Sequence, residues 1–252
     1  MASTEPTPTE TARATKGMVT KLSATFMMDP PTYIAAAEVG YEGLAFYYAG
    51  RGGVLGDVDA AEVAEAFHFF PEASVRAGWE QAASVEAPAA SARRFAEAAA
   101  RWAESRLDAA ALEFDRLAEL LGIVETAAPA TDEQAAYGLF TGWRALPEPD
   151  DPRALVVHRA NALRELRFAR HVAAVRQVGL DPLVALMVSA PHMADVFGWP
   201  PPRPEPTESD RAAWEEAEAA TDEAFGRDLG ALDGPQRAAL VVLAKAASAA
   251  AR

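Results

Sequence analysis

Residues 153–178 read RALVVHRANALRELRFARHVAAVRQV, with Pro152 before them and Gly179 after. Nothing inside the stretch breaks a helix, and glycine at its end stops one. On a helical wheel His158, Asn161 and Glu165 share one face. Arg164, Arg167 and His171 share another, at spacings of three, four and seven. Leu155, Leu163, Leu166, Val172 and Val175 lie between and opposite. Two polar stripes on so apolar a helix leave two readings. One is a solvated arginine face with a hydrogen-bonded histidine. The other draws the polar groups into a bundle, where each must be paired or meet a ligand, because an unpaired buried charge is very costly.

The rest of the 252 residues reads as helix as well. Alanine runs such as Ala98-Ala99-Ala100 favour helix, since alanine loses no side-chain entropy there. No apolar–polar alternation of strand length occurs, and no hairpin dipeptide lies between two such runs. The fold class is all-α, a multi-helix bundle with a disordered N-terminal tail over 1–22. The main helical domain is 23–197, a Pro-rich linker is 198–208, and a C-terminal helical segment, 209–252, packs on the main domain. Asp29-Pro30-Pro31 opens the first helix and Gly40 ends it. A short aromatic helix covers Leu44 to Tyr48. Asp57 or Asp59 caps the next, to about Phe70, and Pro71 opens another through Trp79. Residues 89–121 form one long run stopped by Gly122, with Phe95, Trp102 and Ala109 on one stripe. Thr131 starts a helix ending near Trp143. Asp181-Pro182 opens an apolar, central helix. Ser209 caps a helix through about Phe225, and an Ala-rich helix follows Pro235.

The chain has no cysteine, which excludes disulfides, thiolate metal sites and cysteine nucleophiles. The N-terminus MASTEPTPTETARATKG has no apolar core of a secretory signal, and no run of about 18 apolar residues occurs, so the expected setting is cytoplasmic, without membrane contact. The net charge of −14 repels phosphate backbones at long range and weighs against DNA as the main partner. His68, His158, His171 and His192 show neither the HExxH pattern nor i, i+4 pairing, so no metal is expected, and no cofactor can be named. The Ala238–Ala250 stretch could pair with its copy in a homodimer.

A second stretch bears on chemistry: Tyr47-Tyr48-Ala49-Gly50-Arg51-Gly52-Gly53-Val54-Leu55-Gly56. Its plain reading is a tight helix–helix corner with Arg51 paired to an acidic neighbour. Its functional reading is a guanidinium fork for a carboxylate or phosphate. The candidate ligand-binding set is Tyr47, Tyr48, Arg51, His68, His158, Asn161, Arg164, Glu165 and His171. The favoured function is a helical binding protein for a small molecule or a protein partner. An enzyme using His158 or His171 as acid/base, with Arg51 as anion clamp, is the other chemistry these residues allow.

At these stretches the chain resembles a family of actinobacterial proteins described as helix-turn-helix-domain proteins. The matching motifs are Tyr47-Tyr48-Ala49-Gly50-Arg51 with Leu55-Gly56, the Phe-rich end Phe67-His68-Phe69-Phe70-Pro71, and His158, Arg164, Glu165, Arg167 and His171. Gly179-Leu180-Asp181, Thr221-Asp222 and Leu229-Gly230 follow, so the likeness spans roughly residues 25 to 235. The resemblance implies no established activity; the family's description alone suggests a DNA-binding transcriptional regulator. Leu166 stands where the family has a further histidine, and Phe168-Ala169-Arg170 where it has Gly-Asp-Gly, so chemistry needing that imidazole or carboxylate is not implied. Gly198-Trp199 runs straight into the proline linker, where the family has a winged-helix-like stretch.

Overall fold

The computed structural model describes residues 5–251. Among them are the helices α1 (Pro8–Met27), α2 (Pro30–Val39), α3 (Ala45–Gly52), α4 (Ala60–Phe67), α5 (Glu72–Ala83), α6 (Pro88–Arg106) and α7 (Phe114–Ala127). There follow α8 (Ala135–Arg144), α9 (Pro152–Gln177), α10 (Pro182–Ser189), α11 (Met193–Phe197), α12 (Glu208–Leu229) and α13 (Gly234–Ala250). A single 3-10 turn, Gly53–Leu55, continues α3, and no strand occurs among the described residues. The class is all-α.

The axis is α9. Asp151 accepts the backbone N–H groups of Arg153 and Ala154, and Gly179 leaves the helix at φ +68°. The helix packs against α1, α6, α7, α8 and α12. His158, Asn161, Glu165, Arg167 and His171 are all buried, so the interior reading of this helix holds. No single helix among the described residues is long and apolar enough to cross a membrane.

Several boundaries differ from the sequence-based expectation. The disordered tail expected over 1–22 gives way to helix from Pro8 on, while residues 1–4 lie outside the described residues. Thr7 caps α1 in a reciprocal box with Glu10, and proline occupies its first turn. The Thr, Pro and Glu content that suggests disorder is a helix start. Met18, Val19, Leu22 and Phe26 of α1 are buried, and the helix packs on α9, α12 and α13. The run 89–121 breaks at Leu107–Glu113, where Asp108 caps a turn through Ala110 N–H, and Gly122 lies inside α7. There a Cβ would meet the Arg159 guanidinium at 2.5 Å. The aromatic helix continues through the glycines to Gly52 rather than turning after Tyr48. Asp59 caps α4 with Glu62, and the helix ends at Phe67. Asp29 makes no cap bond and pairs with Arg106 instead. Thr207, not Ser209, caps α12. The expected central helix, α10, buries only Ala185 and Leu186, and Ala185 belongs to a small side cluster with Ala174, Val175, Leu180 and Ala217.

Candidate functional site

Close approach of α3 to α6 carries Arg51 into the interior. A Cβ on Gly50 would stand 2.5 Å from the Phe95 ring, and one on Gly53 would overlap the Pro88 carbonyl. Only glycine admits that contact. Arg51 then meets Glu165 of α9 with both fully buried. Its Nε donates to Oε1 at 2.9 Å and its Nη2 to Oε2 at 2.7 Å. The guanidinium lies 4.5 Å from the ring centres of both Phe67 and Phe168, and Nη1 donates to the Tyr47 hydroxyl at 3.4 Å. Burial alone would lower the Arg51 pKa, but the Glu165 charge outweighs it and holds the group above its ordinary value. Burial likewise opposes ionisation of Glu165, and the charges of Arg51 and Arg164 keep its carboxyl below the usual range. Arg164 Nη1 donates to the same Oε1. Two guanidiniums therefore share one carboxylate, which leaves one positive charge uncompensated by any ion pair among the described residues.

That charge faces a cleft. Arg164 and Tyr47 line a space of about 280 Å³ whose other walls are Ala24, Met27, Met28, Tyr33, Leu44, Phe70, Met193, Val196 and Phe197. The walls come from α1, α2, α3, α9 and α11 and from the Phe67–Pro71 segment. Phe70 and Phe197 stack at 3.9 Å. Methionine gives such walls an adaptable surface.

The structure brings Tyr47, Arg51, Arg164 and Glu165 together and leaves the other candidates elsewhere. Tyr48 packs among Phe67 and Phe70, and burial pushes its hydroxyl pKa up. His158 borders a separate groove between α6 and the Leu146–Pro149 turn. Its Nε2, both amide atoms of Asn161 and the Trp143 Nε1 are buried and make no hydrogen bond within the described residues. Burial lowers the His158 pKa. His171 lies between Phe69 and Trp214, with Nδ1 3.0 Å from the Thr221 hydroxyl. Thr221 spends its own proton on the Ala217 carbonyl, so Nδ1 is the donor to Thr221. Burial holds His171 at about 4, neutral near pH 7. His68 sits at φ +49°, ψ −53°, in a turn closed by Phe69 N–H on the Phe67 carbonyl at 2.6 Å, beside another hollow with Arg176. Neither His158 nor His171 hydrogen-bonds to Arg51, Arg164 or Glu165, and neither lines the cleft. Among the described residues no three His, Asp or Glu side chains converge to hold a metal ion.

Sequence reasoning misses Phe67 and Phe168 as the plates around Arg51, and misses the methionines and Tyr33 of the cleft. The Phe67–Pro71 run carries a visible signal. The cleft carries none, because its walls come from six separate segments.

Comparison with family models matches residues 12–199 to the helix-turn-helix family. The chain belongs to that family. The match begins in α1 and stops at Trp199, earlier at both ends than the span expected from motifs, so Thr221-Asp222 and Leu229-Gly230 lie beyond it. Every wall of the cleft and the whole Arg51–Glu165–Arg164 cluster fall inside the family region, whereas α12 and α13 fall outside. No curated protein and no solved structure matches the chain.

Proposed function

We propose that this member of the helix-turn-helix family is a small-molecule-binding protein, and that its ligand is an amphipathic anion seated in the cleft between α1, α3, α9 and α11. One observation carries this reading: Arg164 presents an uncompensated charge to an otherwise apolar cavity. In a site of low polarity such a group interacts strongly with an anion and has little else to pair with. Arg51 and Glu165 then act behind the wall, holding Arg164 by its Nη1 rather than touching the ligand.

Titration with the fluorescent monoanion 1-anilinonaphthalene-8-sulfonate tests the site. The native chain is expected to show one saturable site. Arg164→Gln removes the charge while Arg51 still pairs with Glu165, and binding is expected to weaken about tenfold or more, the value of a charge-assisted bond. Equal affinity in the two proteins would remove the assignment.

A second reading, DNA-binding transcriptional regulation, is favoured by the family membership. The charge distribution opposes it. On α9, Arg159, Arg167 and Arg170 are each engaged by carboxylates within the fold. The helix pair α4–α5, joined by four residues, carries Glu62, Glu65, Glu72 and Glu80 against a single Arg76, itself paired with Glu72. A gel shift against the neighbouring promoter at low salt decides the matter: a salt-dependent shift supports the regulator, and none at any salt ends that reading.

A further inference from the structure

We infer that the ligand is a single-chain carboxylate whose hydrocarbon tail runs beneath α2, an inference that rests on the binding site proposed above. The Arg164 cleft does not end at Tyr33. A second hollow, of about 460 Å³, shares Met28, Tyr33 and Leu44 with it and continues under α2 to Tyr41 and Phe46. The two hollows adjoin along these three side chains, with a charge at one end of the pair.

The far half offers a hydrocarbon and little else. The Tyr33 hydroxyl donates to the Met27 carbonyl at 2.7 Å, and the Tyr41 hydroxyl is engaged by Glu86 and Ser91, each at 2.7 Å. Neither is left to recognise a polar ligand group. The roof is loosely held: of α2 only Thr32 and Ala36 are buried, and the chain leaves it through Gly40 at φ +114° and Gly43 at φ +53°. A helix so placed can ride up over a tail without disturbing α9. The head end selects a monoanion, because Arg51 and Arg164 exceed Glu165 by one unit of charge. A dianionic phosphate would bring a charge with no partner into a weakly solvated site.

Displacement of 1-anilinonaphthalene-8-sulfonate from the intact chain by saturated carboxylates, hexanoate to hexadecanoate, tests the tail path. Affinity is expected to rise about fourfold for each added methylene until the two hollows are filled, and then to level off. The n-alcohols should bind more weakly at every length, and dodecyl phosphate more weakly than dodecanoate. Ala37 is exposed on the α2 wall of the far hollow, so Ala37→Trp leaves the fold intact. It should move the plateau to shorter chains and leave octanoate unchanged. Affinity that stops rising at octanoate, or a plateau indifferent to Ala37→Trp, overturns the tail path while the sulfonate site stands. Tighter binding of the phosphate overturns the monoanion. No sulfonate binding at all overturns the site itself.

Discussion

Glu165 has no exposed surface, and burial opposes its charge, yet it is ionised because two guanidiniums hydrogen-bond to its carboxylate. Removing one partner of such a pair strands the other in a medium that cannot solvate it, at about 3–5 kcal/mol. Arg51→Met and Glu165→Leu are each expected to lose that much in urea unfolding. The double variant should lose much less, since Arg164 retains some exposure and can turn to solvent. Losses that simply add would show that the pair is not coupled. That Arg51 has an acidic partner is legible from an acidic chain. Which acid, and that Phe67 and Phe168 enclose the pair, is not, because 114 positions separate Arg51 from Glu165. His68 shows the same limit: nothing in its local sequence announces a positive φ in a non-glycine residue, a geometry normally tolerated only where surrounding packing enforces it.

Helix ends are the most readable feature at the scale of elements. Asp59 and Asp181 each accept backbone N–H groups at a helix start, and Gly40 and Gly179 leave helices in the left-handed region, as their sequence context predicts. Alanine hides the rest. Between Ala89 and Leu121 every window favours helix, so the break after Arg106 is set by tertiary packing that propensity does not record. The α3 glycines mislead in the opposite sense. They suggest a bend, but they serve contact between helices. Gly53→Ala would press a methyl group into the Pro88 carbonyl, which is backbone and cannot swing aside. A loss of about 1–3 kcal/mol is expected, with α3 displaced from α6. An unchanged urea midpoint would show that the helices do not meet as closely as described.

Across the whole molecule, buried titratable groups set opposing pH dependences. Burial raises Glu125 to about 7 against the nearby charge of Arg159, at 4.0 Å. The fold holds that proton through a range in which the unfolded chain has lost it. Its stabilising share is therefore full below about 4.5 and is lost as pH rises through 7. His68 and His171, each lowered by burial to about 4, act the other way. The unfolded chain takes up their protons near 6.5, so stability falls as pH drops from there towards 4. Glu125→Gln should remove the fall in stability between about pH 4.5 and 7 and raise stability at pH 8 by about 2 kcal/mol, read from urea midpoints. A parallel curve for the variant would assign the slope in that range to other groups. The placement of α1 has a consequence for biosynthesis. Arg13 pairs with Asp222, 209 positions later, and Arg237 reaches back to the Pro6 carbonyl. A ribosome releases the first helix long before it makes the surfaces that cover it. That helix can meet α6, through Phe26 on Phe95, and α9 first, but the face that α12 and α13 cover must wait until the final fifth of the chain emerges and closes the circle.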